Sequence, residues 1–230
     1  MKTKDYILQL IDEGEHEHQD FKYQISDAKK IARSISAFAN NSGGRLLVGV
    51  KDNGHIAGVK SDEEIYMIEQ AATMYCRPEQ QMNFQLFKVE GKNVLLAEVA
   101  EAQVKPVQAP DENGHWKVYY RVADENVLAS GVHVKALKHK NCDEDGALLN
   151  FSEKERELLE YLDLHGGITL SGFSKLAHIS RFAAEDAIVK LLEMNVITLS
   201  YHNGSCLITK SNKEPRGTLC AVQWINTGRH

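Results

Sequence analysis

Long apolar runs are missing from this chain of 230 residues. No window approaches the roughly 18 uninterrupted apolar residues that a membrane-crossing helix needs, so no membrane partner is expected. The opening stretch MKTKDYILQLIDEG also lacks an apolar signal core, because Asp5, Gln9 and Asp12 interrupt it. Cysteine is scarce: Cys76, Cys142, Cys206 and Cys220 lie far apart and form no Cys-x-x-Cys pair. That pattern excludes a disulfide-framed miniprotein and predicts reduced thiols in a cytoplasmic chain. Standard phosphate-cradling loops are absent too. Gly44 and Gly49 have the spacing of GxxxxGK[ST], but Val50 and Lys51 follow where Lys and Ser or Thr are required, and no GxGxxG follows a strand. No phosphate-binding loop for ATP is therefore expected. Nor is there a basic excess: 27 Lys and Arg against 32 Asp and Glu leave a net charge of −5. The whole chain thus carries no electrostatic signature for nucleic acid or an anionic membrane.

What is present suits globular folding. Hydrophobic residues make up 43% and charged residues 26%, enough to fill a core without disulfide or metal staples. The length is comfortable for two domains of about 100–150 residues each. Apolar periodicity places helices over residues 5–12, 27–40 and 61–75. Strands are predicted over residues 19–24, 45–50, 55–59, 83–89, 94–99, 105–109 and 116–122. Asn41-Ser42-Gly43-Gly44 stops the second helix, and Asp52-Asn53-Gly54 reads as a tight hairpin turn. Strands both in hairpins and around helices predict an α+β domain with a mixed sheet over residues 1–137.

Residues 138–150 are polar and charged and read as a linker. Beyond it, Ser152 with Glu155 forms a capping box that opens a helix over residues 151–164. Further helices are expected over residues 168–177 and 181–193, then a hairpin over residues 195–209. Three helices followed by a two-stranded ribbon is the winged helix-turn-helix pattern, here over residues 151–212. An unrelated small helical appendage is the alternative. Residues 213–230 read as a flexible tail.

The densest chemical constellation is EGEHEHQDFK at residues 13–22, with Glu13, Glu15, Glu17 and Asp20 beside His16 and His18. Clustered carboxylates are hard oxygen ligands of the kind that hold a divalent cation on a phosphodiester. The His-x-His pair suggests zinc only weakly, since no second ligand pair stands nearby. The bland alternative is a solvated acidic loop. Residues 22–60 carry seven basic side chains against Asp27 and Asp52, a local net of +5. Acids beside a basic surround would suit chemistry on a phosphate polymer if the fold brings them together.

Several strings then resemble one family. These are Gly14-Glu15-x4-Asp20-Phe21-Lys22, the helix end Ser36-Ala37-Phe38-Ala39-Asn40, Gly43-Gly44 with Leu46-Leu47-Val48-Gly49-Val50, and Asp52-x-Gly54-x-Ile56-x-Gly58. Lys105-Pro106-Val107 and Tyr119-Tyr120-Arg121 follow. Together, over about residues 10–130, they look like the Schlafen AlbA-type domain, also called the divergent AAA family. The resemblance implies a mixed-sheet α+β fold. Bacterial members often add a C-terminal winged helix and are described as DNA-binding transcriptional regulators, some with an ATP-binding label. In animal members the resemblance implies an RNA-cleaving site of two glutamates and an aspartate. The matching positions are Glu15, Asp20 and Asp52, which would hold Mg²⁺ or Mn²⁺. Asp20 stands where a glutamate is usual, one methylene shorter.

The leading expectation is a nucleic-acid-binding transcriptional regulator acting on DNA or RNA. Its contacts would be Lys22, Arg45, Lys51 and Arg121 in the first domain and Arg181 and Lys190 in the second. The alternatives are a metal-dependent endoribonuclease acting on structured RNA, and a non-catalytic nucleotide-sensing or assembly module. Self-association into a homo-oligomer is left open. The second domain has six basic and eight acidic side chains, and Glu185 and Asp186 near the start of its presumed recognition helix would repel phosphate. A dimerisation or protein-contact role for that module is therefore the alternative to DNA binding.

Overall fold

The computed structural model describes residues 3–59, 62–139, 151–202 and 205–212. Most of the expected linker (140–150), the expected tail (213–230), Lys60, Cys142 and Cys220 lie outside the described residues. No helix among the described residues is long and apolar enough to cross a membrane. The chain divides into two compact units, Met1–Ser130 and Gly131–His230.

The first unit is α+β. Its elements are α1 (Thr3–Glu13), β1 (Gln19–Lys22), α2 (Ala28–Asn40), β2 (Gly44–Val48), α3 (Glu63–Met74), β3 (Met82–Val89), β4 (Lys92–Val99), β5 (Gln108–Pro110), β6 (Trp116–Val122) and β7 (Glu125–Leu128). A four-stranded mixed sheet runs β1-β2-β4-β3, with β1 parallel to β2 and the other pairs antiparallel. A three-stranded antiparallel sheet runs β5-β6-β7.

The apolar run of β2 is buried on both sides, which explains why it does not alternate with polar residues. Leu46 and Val48, with Leu95 and Ala97 of β4, pack against α2 and α3. Leu47, with Val94 and Leu96, faces the opposite way and packs with Ile7 and Leu10 of α1 and with Phe21. Helix α2 is itself covered on two sides, by the mixed sheet and by β5-β6-β7. That is why ten of its thirteen residues are buried and why so many are Ala or Ser. Small side chains let both sheets approach the helix axis.

Polar groups on α2 fasten the second sheet. Asn40 Nδ2 donates to Val107 O and Tyr119 O, both at 2.8 Å, and Val107 N donates to Asn40 Oδ1 at 2.7 Å. Asn41 does the same two residues further along β6, with Arg121 O at 2.9 Å and Arg121 N at 3.1 Å. Ser36 Oγ donates to Val107 O at 2.9 Å. The buried Lys105 ammonium bonds Asn40 O at 2.9 Å and Asn41 O at 2.8 Å. A cation there satisfies carbonyls that a helix C-terminus leaves unpaired and complements its dipole. The strings around residues 36–41 and 105–107 are therefore two halves of one buried fastening.

Gly43 and Gly44 follow. Gly43 takes φ +78° and donates its N–H to Phe38 O at 3.0 Å, closing the helix. A Cβ on Gly44 would lie 2.1 Å from Phe38 Cδ1. Gly44→Ala is therefore expected to destabilise the unit by about 2–3 kcal/mol or more through overpacking. Thermal unfolding checks this; a melting point within a degree of the parent would contradict it.

Some elements differ from expectation. The hairpin anticipated around Asp52-Asn53-Gly54 shrinks to one isolated bridge between Val50 and Ile56. The returning backbone bonds Gly49 O through Ala57 N at 2.8 Å and Gly58 N at 2.9 Å, so no ladder forms. The strand β7 was not anticipated from the sequence.

The second unit holds α4 (Gly131–His139), α5 (Glu153–His165), β8 (Gly167–Ile168), α6 (Leu170–Leu176), α7 (Arg181–Glu193), β9 (Ile197–His202) and β10 (Ser205–Lys210). The capping box at Ser152 and Glu155 is present. Its sheet has the order β8-β10-β9 and is antiparallel. Phe173, Ala184, Ile188 and Leu191 centre its core. The short β8 and the helix α4 are additions to the expected elements. Val132 and Ala136 of α4 join this core together with Val189.

Candidate functional site

The acidic constellation folds into a tight turn whose side chains are nearly all committed. His16 and Gln19 exchange backbone hydrogen bonds at 3.0 and 3.1 Å. Glu13 pairs with Arg45 at 2.8 Å, Glu17 accepts from Asn41 Nδ2 at 3.0 Å, and the His18 ring bonds Gly43 O at 3.0 Å. His18 N donates to His16 Nδ1 at 3.1 Å. The segment is thus neither a solvated loop nor a ring of open ligands; it stitches α1 and the start of β1 to the end of α2.

Strand β1 sends alternate side chains to opposite faces. Gln19 and Phe21 face α1, while Asp20 and Lys22 face the α2 side. Asp20 is almost fully buried and sits between two cations. Lys22 Nζ is 2.7 Å from Asp20 Oδ2, and Arg121 Nη2 is 3.5 Å from Asp20 Oδ1. The Lys22 contact is an ion pair outside hydrogen-bond alignment, so Asp20 Oδ2 has no aligned donor. Arg121, 1% exposed, also donates to Gln19 O at 3.2 Å and Asn126 Oδ1 at 3.1 Å, and its guanidinium lies 5.0 Å from the Phe38 ring centre. Its Nε has no partner.

Glu15 lies beside Asp20. Burial first, and then a hydrogen bond shared with the Asp20 carboxyl, push the Glu15 pKa up to about 6. Phe21 N donates to Glu15 Oε1 at 2.8 Å and opposes that shift. An acid whose pKa rises on folding binds its proton more tightly in the native state. Its contribution is therefore present below pH 4.5 and is lost as pH rises through about 6. Denaturant titrations should show this fall in stability across that window, and Glu15→Gln, which keeps an acceptor for Phe21 N, should flatten it. An unchanged pH slope in the variant would contradict the assignment.

These side chains open into a cleft of about 350 Å³. One wall is Asp20 and Lys22 of β1; another is Lys30, Arg33 and Ser34 of α2. The β6-β7 hairpin closes it with Tyr119, Arg121, Asp124 and Asn126. Asn126 Nδ2 donates to Ser34 Oγ at 2.9 Å, and Arg33 Nε donates to Pro110 O at 3.0 Å. Four cations and two carboxylates thus converge from the consecutive elements β1 and α2 and from the distant β6-β7 hairpin.

Of the expected contacts, Lys22 and Arg121 meet in this cleft. Arg45 does not: it lies on the Gln19 face and bonds Gln19 Oε1 at 2.7 Å as well as Glu13. Lys51 sits 5.4 Å over the Tyr23 ring. In the second unit Arg181 Nε is 3.3 Å from Glu185, and Lys190 Nζ is 3.0 Å from the buried Glu155. Both expected contacts on α7 are thus engaged by carboxylates of their own unit. Lys30, Arg33, Ser34, Asp124 and Asn126 were not singled out from the sequence. The i, i+3, i+4 spacing of Lys30, Arg33 and Ser34 was the available signal, since it puts them on one helix face.

The three carboxylates matched to a metal site do not gather. Glu15 and Asp20 adjoin, but Asp52 occupies the exposed turn after β2, and among the described residues no three His, Cys, Asp or Glu side chains group to hold a metal ion. Asp20 is already flanked by two cationic side chains, which compete with any divalent ion for its oxygens. As arranged, the residues do not fit Mg²⁺ or Mn²⁺.

No curated protein matches the chain. Among solved structures, the DIP2311 protein from Corynebacterium diphtheriae is similar at 18% identity with a TM-score of 0.44, covering 86% of this chain and 46% of that one. The chain thus spans less than half of that protein's length. The N-terminal domain of a RecG-related protein from Nitrosomonas europaea, named for an ATP-dependent DNA helicase, is similar at 19% identity with a TM-score of 0.37. That match covers 66% of this chain and 98% of the domain. The family model described as Schlafen, AlbA_2 matches residues 15–130, half of the chain, and this protein belongs to that family.

Proposed function

We propose that this protein is a nucleic-acid-binding regulator whose first unit grips phosphate in the cleft between β1, α2 and the β6-β7 hairpin. The observation that carries the reading is the convergence of Lys22, Lys30, Arg33 and Arg121 on one cleft in a chain whose overall charge is negative. Cationic side chains held by a scaffold supply the sequence-independent part of nucleic-acid affinity. Membership of the Schlafen, AlbA_2 family agrees with this direction.

For the second unit, the order helix, strand, helix, helix and two strands supports a winged-helix reading. Its fit to a groove is poor. The outward side of α7 carries the exposed Phe182 and Asp186, away from the core residues Ala184, Ile188, Val189 and Leu191. Helix α4 reaches that side through Lys135, which pairs with Asp186 and whose ammonium lies 4.3 Å from the Phe182 ring centre. These contacts favour an assembly or protein-contact role for this unit, with transcription regulation exercised through the whole chain.

Metal-dependent RNA cleavage is not the reading this arrangement favours, because Asp20 is neutralised by Lys22 and Arg121 and Asp52 stands apart. Mobility-shift titration of the full chain against mixed-sequence DNA and RNA tests the proposal. Binding at 50 mM salt that weakens steeply by about 200 mM is the expected result. Absence of binding to either polymer at low salt would overturn it.

A further inference from the structure

The geometry points to a strand end, not an internal stretch of backbone, as the occupant of the cleft: the phosphomonoester at one terminus of a single-stranded nucleic acid. The inference rests on the reading above and narrows it. Its first support is charge. Lys22, Lys30, Arg33 and Arg121 against Asp20 and Asp124 give the lining a net of +2. A phosphomonoester carries about −1.5 to −2 near pH 7, whereas an internal phosphodiester carries only about −1.

The second support is size. A cleft of about 350 Å³ stands at the low end of small-ligand sites, a volume that suits one nucleotide-sized group. A surface that tracks a backbone is an extended groove instead. The third is an unmet hydrogen-bond demand. Arg121 Nε is buried without a hydrogen-bond partner, which native interiors rarely leave so. Arg121 lines the cleft, so a phosphate there would meet a guanidinium whose hydrogen-bonding capacity is not filled. Ser34 Oγ accepts from Asn126 Nδ2, which leaves the hydroxyl proton to donate onward. A terminal phosphate presents three oxygens to such converging donors; an internal one has two of its four oxygens tied up in ester links.

The test is fluorescence anisotropy of the full chain with one single-stranded sequence in three forms: 5′-phosphorylated, 3′-phosphorylated and hydroxyl at both ends. One phosphorylated form should bind at least tenfold more tightly than the hydroxyl form, which also says which end is read. Lys30→Gln, at an exposed position that leaves the fold intact, and Arg33→Gln should each erase most of that difference. Equal affinity for all three forms would overturn the inference while leaving nucleic-acid binding standing. No binding of any form would overturn both. Adenosine monophosphate competing as well as the phosphorylated strand would overturn it in favour of a free-nucleotide pocket.

Discussion

Asn40→Ala is expected to lower the unfolding free energy of the first unit by about 3–5 kcal/mol. Asn40 is 2% exposed and serves three backbone groups at once: Val107 O, Tyr119 O and Val107 N. Alanine takes the Asn40 partner from Tyr119 O and Val107 N, while Val107 O keeps Ser36 Oγ, and each buried group left unpaired costs roughly 1–3 kcal/mol before any relaxation. Asn40→Asp should be at least as damaging, because an ionised carboxylate would face two carbonyl oxygens with no proton to offer. Both variants loosen β5 and β6 from α2, so the cleft should lose its Tyr119 and Arg121 wall. Urea unfolding followed by tryptophan fluorescence checks this, since Trp116 lies on β6. A loss below 1 kcal/mol would show that the fastening is not what holds the second sheet.

That residue also shows how far the sequence could be read. Its place at the end of a helix before Gly43-Gly44 was legible from local spacing. Its partners, 67 and 79 residues away, were not. The same distinction runs through the site. Local patterns gave α2, the β3-β4 hairpin, the capping box at Ser152 and the adjacency of Glu15 with Asp20. The charges of Arg45 and Lys190 were equally legible, but the carboxylates that claim them come from Glu13 and Glu155, on other elements. An isolated cation in a sequence says nothing about whether a distant acid has already bound it. Asp124 and Asn126 gave no signal because the short β7 has neither length nor strong alternation. Asp52 was matched by motif to a metal-binding role, yet the turn carrying it never becomes a hairpin, and the side chain stays exposed.

The second large effect concerns binding. Reversing both Lys30 and Arg33 to glutamate is expected to weaken nucleic-acid affinity by roughly 100-fold at low salt. It should also reduce the slope of log affinity against log salt by about 1–2. Lys30 is exposed, and Arg33 bonds Pro110 O through Nε and pairs only with the exposed Glu112, 3.7 Å from its Nη1, so the fold should tolerate the change better than the loss of the buried Arg121. Circular dichroism separates a folding defect from a binding defect. The matching control is Arg181→Glu on α7, which should change affinity less than threefold. An equal loss in both variants would place phosphate binding on the second unit.

Photo-crosslinking of a thiouridine-containing single strand to the full chain, read by peptide mass spectrometry, tests the central claim most directly. The account predicts crosslinks to peptides spanning residues 19–34 and 116–127, the walls of the cleft. Crosslinks confined to α7 and the β9-β10 hairpin, with none from those two segments, would contradict it.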